Sequence, residues 1–321
     1  MKRLLWIMII VLFASCTSSD RHANTIRVGY LPNLTHIHGL MGESMGWYTS
    51  RMGKTVEWYH FNAGPSIIEG LFSGDLDFAY VGPGPAIVGY LRSKGDGLLV
   101  VAGATNSGSS LVVRKDSAIY TIEDLANKKI ASPQIANTQD LALRHLLAIH
   151  QMKSRDRGGD VWILPIRNSE QFMYFIEGQI DGAWTVEPWV TRLEKEAGGR
   201  ILIDEKQLWD GEAYPTTLLV VRGDYLRKHP DIVSSWLAAH KALTVWIQEH
   251  PVEVKKKLSD EIYKHTKVRL DLELIDKAYE RLSVTDDPMR NALIAYSEWL
   301  FESGLEHGSF QNIEGIVYHG E

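Results

Sequence analysis

Of 321 residues only Cys16 is a cysteine, so the chain closes no internal disulfide and builds no cysteine-rich metal site. Long apolar stretches are also scarce. The run Leu4 to Phe13 has ten residues, half of the roughly 20 that a membrane-spanning helix requires. Positive charge is not in excess: 34 Lys and Arg stand against 40 Asp and Glu, a formal charge of -6 that gives no support to nucleic-acid binding. No G-x-S-x-G elbow is present, and Gly82-x-Gly84 has interleaved prolines and no following GK[ST], which argues against a nucleotide loop. The pair His36-x-His38 has no supporting ligand cluster, so no metal and no cofactor are expected. What remains is the composition of an ordinary globular protein, 45% hydrophobic and 23% charged.

The solitary thiol has a meaningful position. Lys2 and Arg3 form a basic start, Leu4 to Phe13 an apolar middle, and Ala14-Ser15 a small-residue approach to Cys16. That order predicts a lipoprotein signal over residues 1–15, with Cys16 lipidated after cleavage and residues 16–24 acting as a polar linker. Phe13 departs from the Leu favoured three places before the cysteine, and an ordinary secretory signal with a chance cysteine is the alternative. Either way the chain is expected to work outside the cytoplasm. The first reading places it on the extracytoplasmic side of the cell membrane, lipid-anchored and monomeric. Loss of Lys2 and Arg3 takes the charge to about -8, and the roughly 300 remaining residues suffice for two packed lobes.

Strand-turn-helix grammar then repeats. Ile26 to Leu31 and Val56 to Phe61 read as strands, a helix from about Pro65 ends near Gly74, and Leu76 to Val81 reads as the next strand, an α/β pattern with parallel sheets. Two internal echoes follow. Phe72 to Tyr80 (FSGDLDFAY) aligns at an offset of 104 with Ile176 to Trp184 (IEGQIDGAW), which also sets Asn33 on Asn137; shared turn chemistry is the competing explanation. Leu111 to Asp116 and Leu219 to Asp224 are nearly the same strand, and are expected to be the hinge crossings between lobes. The expected division is lobe 1 over 25–112, lobe 2 over 113–214, and a return to lobe 1 over 215–321. Helices are expected at Pro230 to Glu249, Val252 to Leu258, Leu270 to Leu282 and Arg290 to Leu300.

Ligands of open α/β sheets sit beyond the carboxyl ends of strands, where helix N-termini offer free N–H groups and partial positive charge. Four turns qualify: Pro32 to His36, Gly82 to Pro85, Pro133 to Asp140 and Thr185 to Trp189. Their neutral hydrogen-bonding side chains, Asn33, Thr35, Asn137, Thr138 and Gln139, suit a permanently ionised oxyanion such as a sulfonate, although each of them serves equally well as a plain helix cap. Glu187 has three candidate roles: facing a cationic amine, pairing with Arg192 or Arg144, or bridging the hinge. Trp184 and Trp189 are candidates to wall an apolar ligand tail.

The segments RVGYLPNLTH (27–36), FNAGPSIIEGLFSGDLDFAYVGPGPA (61–86), NTQDLALRHLL (137–147), GQIDGAWTVEPW (178–189) and TTLLVVR (216–222) together resemble the substrate-binding lipoproteins of ABC importers for aliphatic sulfonates, taurine and nitrate. The resemblance implies a two-lobed periplasmic-binding-protein-like fold of type II, with two hinge strands, closing over one small molecule. It implies an ABC permease and ATPase as partners and no enzymatic activity. It also implies ligand contacts at Asn33, Thr35, His36, Gly82, Pro83, Gly84, Asn137, Thr138, Gln139, Glu187 and Trp189. Sulfonate binders often carry Ser or Thr where this chain has Gly82-Pro83-Gly84 and Asn137-Thr138-Gln139, which leaves the anion open between sulfonate, taurine and nitrate. An amine or pyrimidine precursor held by Glu187, and an enzyme using Glu187 with His36 as an acid–base pair, are the alternatives.

Overall fold

The computed structural model describes residues 24–306 and 313–319, so the leader, Cys16 and the linker up to residue 23 lie outside the described residues. The chain runs β1 (Thr25–Tyr30), a 3-10 turn at Leu34–His36, α1 (Ile37–Ser44), α2 (Trp47–Met52), β2 (Thr55–His60), α3 (Gly64–Phe72), β3 (Phe78–Val81), α4 (Pro83–Arg92) and β4 (Leu98–Ser107). Beyond Gly108 come β5 (Ser109–Arg114), β6 (Lys129–Ser132), α5 (Thr138–Ile149), β7 (Trp162–Pro165), α6 (Asn168–Ile176), β8 (Gly182–Val186), α7 (Trp189–Glu196) and β9 (Gly199–Asp204). A 3-10 turn at Glu205–Trp209 leads back to β10 (Pro215–Arg222), α8 (Gly223–Lys228), α9 (Pro230–Glu249), α10 (Pro251–Thr266), α11 (Leu272–Glu280), β11 (Leu282–Val284) and α12 (Arg290–Glu302). None of the described helices is long and apolar enough to cross a membrane.

The strands form two sheets on one plan. The first has the order β2-β1-β3-β10-β4-β11 and the second β7-β6-β8-β5-β9. In each, three parallel strands (β2-β1-β3 or β7-β6-β8) are followed by one antiparallel strand, β10 or β5. The offset of 104 is therefore structural: it carries α3 onto α6 and the start of β3 onto the start of β8. Central strands such as β3 and β8 are buried along their whole length, as strands covered by helices on both faces must be.

Both echoes serve one joint, built twice. Asp77 accepts a hydrogen bond from the Arg27 N–H at 2.9 Å, while its own carbonyl accepts from the Arg222 N–H at 2.9 Å. Asp181 likewise accepts from the Lys129 N–H at 2.8 Å, and its carbonyl accepts from the Arg114 N–H at 3.0 Å. The aspartate of the first echo thus ties the first parallel strand of its sheet to the arginine that ends the strand of the second echo.

The look-alike strands sit inside the sheets rather than between them. The first crossing is the single residue Gly108, with φ +78 next to Ser107 at φ +63, a left-handed pair that bends β4 into β5. All of β5 belongs to the second sheet, so the boundary expected between 112 and 113 moves to Gly108. The second crossing is the segment 205–214, directly before β10. Two helix limits also shift. α10 continues to Thr266 because Val254, Leu258 and Ile262 extend one buried stripe at a spacing of four, and α11 stops at Glu280 because Leu282 to Val284 pair with β4.

Candidate functional site

Asn33, Thr35 and His36 occupy the turn after β1, all three buried. Thr35 Oγ1 donates to Asn33 Oδ1 at 2.7 Å, and the Thr35 carbonyl accepts from Thr105 Oγ1 at 2.7 Å, which pins the turn to β4. His36 Nδ1 accepts from the Leu31 N–H at 3.3 Å, and burial pushes its imidazole down to about 3, so it stays neutral. His38 lies elsewhere, against Thr244 at 2.8 Å and stacked on His240 with ring centres 4.3 Å apart, so these two histidines hold no common ligand.

Gly82, Pro83 and Gly84 begin α4, and Asn137, Thr138 and Gln139 begin α5. Although they come from different sheets, the two helix starts meet. The Gly84 N–H donates to Thr138 Oγ1 at 3.2 Å, and a Cβ on Gly84 would lie 3.1 Å from the Thr138 backbone. Asn137 Oδ1 caps its own helix by accepting from the Thr138 N–H at 2.9 Å, while Asn137 Nδ2 donates to Gln139 Oε1 at 3.1 Å. A second contact joins the sheets nearby, where the Leu34 N–H donates to the Glu187 carbonyl at 3.1 Å.

The Glu187 carboxylate is fully buried and engaged. Thr191 Oγ1 donates to Oε1 at 3.0 Å, the Thr191 N–H to Oε2 at 3.2 Å, and Arg281 Nε lies 2.7 Å from Oε1. Burial pushes the carboxyl up to about 8, with Arg281 and Thr191 pulling against that rise. The partner is therefore neither of the arginines expected: Arg144 pairs with Asp140 at 3.0 Å, and Arg192 with Glu196 at 2.9 Å. Trp184 is a core residue, its indole N–H shared between Ser109 Oγ at 3.0 Å and Glu205 Oε2 at 2.9 Å, whereas Trp189 reaches the cleft.

A cavity of about 170 Å³ opens between the sheets, room for five or six waters at ~30 Å³ each. From the first sheet's side Leu31, Pro32, Asn33, Phe61 and Asn62 line it; from the second come Arg167, Asn168, Ser169 and Trp189, and His265 and Thr266 close one end. Among the residues expected at the site, Asn33 and Trp189 lie on this wall, while the starts of α4 and α5 press on each other beside the Leu34–Glu187 contact. Arg167, Asn168 and Ser169 were not expected, yet they follow strand β7 as Asn33 follows β1, and the offset of 104 pairs Asn168 with Gly64, another helix start. His265 and Thr266 end α10 on a distant stretch of chain, and no local pattern points to them.

The sequence profile of the NMT1-like family matches residues 19–261. The taurine-binding periplasmic protein of Escherichia coli (strain K12) is 30% identical over 190 residues, which is 59% of this chain and 56% of that protein, so the match spans little more than half of the relative. Among solved structures, the alkanesulfonate-binding protein SsuA of Xanthomonas axonopodis pv. citri bound to MOPS superposes with a TM-score of 0.73 at 19% identity, over 88% of this chain and 94% of that one. The periplasmic nitrate-binding protein NrtA of Synechocystis PCC 6803 gives 0.72 at 15% identity, over 87% and 81%. Likeness at that level of identity shows the shared two-sheet fold.

Proposed function

Because this chain belongs to the NMT1-like family, we propose that it is the extracytoplasmic solute-binding component of an ABC importer, capturing a small sulfonate-like oxyanion, an aliphatic sulfonate or taurine, between its two lobes. The observation that carries this reading is one small cleft between the two sheets, lined by the turn after β1 and by the starts of α6 and α7, with neutral Asn33, Asn62, Asn168 and Ser169 on its wall. Arg167 beside the cavity adds a cation suited to the same class of ligand. The site would comprise Asn33, Thr35, His36, Gly82, Pro83, Gly84, Asn137, Thr138, Gln139, Glu187 and Trp189. Those on the cavity wall would touch the solute, and the rest would close the lobes over it.

The alternatives that need Glu187 free lose ground. Its carboxyl group is spent on Arg281 and Thr191 rather than offered to an amine, and His36 accepts a backbone N–H, so Glu187 and His36 do not form an acid–base pair facing the cleft. A permease and an ATPase would recognise the closed form, and a lipid on Cys16 would hold the receptor beside them and raise its local concentration.

Calorimetric titration with taurine, ethanesulfonate, nitrate and bicarbonate tests the ligand class, with heat expected from the sulfonates; a flat response to all four would sink it. Recovery of the bound solute unaltered by mass spectrometry is the expected result for a receptor, and a changed mass would point to an enzyme. Incorporation of a palmitate analogue into wild type but not into Cys16→Ala is the outcome expected of a lipid anchor.

A further inference from the structure

At the carboxyl edge of the first sheet, three metal-binding side chains from separate parts of the chain come together. Glu43 comes from α1, His60 is the last residue of β2, and His265 lies in the last turn of α10. One donor atom from each lies within 4.8 Å of the other two. His60 Nε2 is 2.8 Å from Glu43 Oε2, and His265 Nε2 is 3.9 Å from that same oxygen. Tyr30, the register partner of His60 at the end of β1, donates its hydroxyl to Glu43 Oε2 at 2.6 Å and lies 3.3 Å from His265 Nε2. We propose that Glu43, His60 and His265 bind one divalent transition-metal ion on the wall of the cleft.

Donor chemistry supports the assignment. Two imidazoles and one carboxylate are a set that zinc-class ions take up, with a fourth position left for water or another oxygen. Metal–ligand bonds of about 2.0 to 2.2 Å at a tetrahedral angle put donors about 3.4 Å apart, and the present separations of 2.8 and 3.9 Å bracket that value. The candidates for the fourth position are the Tyr30 hydroxyl and Glu261, whose Oε2 lies 3.6 Å from His265 Nε2.

The charge balance agrees. Lys264 touches the other oxygen of Glu43 at 3.3 Å and Glu261 at 3.1 Å, so two carboxylates face one fixed cation and the site keeps a negative balance. The His60 side chain is 31% exposed, which leaves a route for an ion from solvent. Placement at the carboxyl ends of β1 and β2, with His265 also lining the cleft, follows the rule for ligand sites in open α/β sheets. The site does not depend on which solute the cleft carries. The competing account is a metal-free hydrogen-bond network of the same residues, in which protons take the place of the ion.

Calorimetric titration of the full chain with Zn2+ in a non-chelating buffer decides between them. One equivalent is expected to bind, and His60→Gln and His265→Gln are each expected to weaken it about tenfold or more, since even changes to groups behind the ligands cost about 10- to 100-fold. His150→Gln, at an exposed histidine bonded to Glu123, is expected to bind as wild type does. Absence of Zn2+ binding, or unchanged affinity in both ligand variants, would overturn the site. Should a variant fail to fold, the visible spectrum of the wild-type chain with Co2+ decides. Intense low-symmetry bands support the site, and the pale spectrum of the hydrated ion overturns it.

Discussion

Glu187 shows how a side chain placed in the cleft by sequence pattern becomes a brace once its surroundings are known. Nothing near it in sequence marks Arg281, 94 positions away, as its partner, and it is the turn from α11 into β11 that delivers the guanidinium. Full burial raises its proton affinity, and the sign for stability follows. A folded-state value of about 8 against an ordinary glutamate value of about 4.3 means that the folded chain binds more protons across that window, so the Glu187 contribution is complete below it and is lost as pH rises through about 8. In Glu187→Gln the amide does not titrate. Urea denaturation of both proteins between pH 5 and 9 is expected to show wild type losing stability relative to the variant as pH rises; parallel curves would mean that the carboxyl keeps the same proton affinity folded and unfolded.

At the scale of elements, the doubled joint makes an asymmetric prediction. Asp77 is buried and paired with the Arg27 and Arg222 guanidiniums at 2.9 and 3.1 Å in addition to its backbone bond, whereas no such ion pair is seen at Asp181 among the described residues, and it keeps its bond to the Lys129 N–H. Asp77→Ala takes from Arg27 its ion-pair partner and leaves Arg222 with Asp224 alone, and is expected to cost about 3 kcal/mol, while Asp181→Ala loses a hydrogen bond and is expected to cost about 1 kcal/mol, both read from denaturant midpoints. The starts of α4 and α5 give a second test. A branched side chain in Gly84→Val would push against the Thr138 backbone of the other lobe, so taurine affinity is expected to fall about tenfold while the ligand-free melting temperature moves by only a few degrees, since parting of the lobes would relieve the clash. These elements were legible because strands, helix starts and the paired aspartates are local patterns, and the 104-residue echo carried the register from one lobe to the other. Contacts over long sequence separations were not legible. The crossing at Gly108 was hidden because the small polar residues on either side of it, Thr105 to Ser107 and Ser109 to Ser110, belong to strands β4 and β5, and His265 reaches the cleft through the packing of α10 on α1.

For the whole molecule, Arg281 is the strap between the lobes. It follows α11, which leads into the first sheet through β11, yet each of its partners belongs to the second-sheet segment: its Nη2 donates to Ser110 Oγ at 2.6 Å and Asp204 Oδ2 at 3.0 Å, and its Nε lies 2.7 Å from Glu187 Oε1. The strap crosses beside Gly108, where a Cβ would already meet Leu282 at 3.1 Å, so it spans the same gap as the covalent crossing. An arginine so placed is expected to favour the closed arrangement, because opening the lobes there would part a guanidinium from the fully buried Glu187 carboxyl group and the half-buried Asp204 carboxylate. Replacing it with Met keeps much of the apolar stem but removes the charge and the hydrogen bonds. Arg281→Met is therefore expected to shift the ligand-free ensemble toward open forms and raise the radius of gyration in small-angle scattering. Apparent taurine affinity is expected to fall by the same factor as the closed population. Saturating ligand is expected to restore the wild-type radius, since it selects the closed form. A variant whose radius equals that of wild type in both states, with unchanged affinity, would show that the lobes are held by their helix starts and backbone contacts, with Arg281 serving only its own lobe.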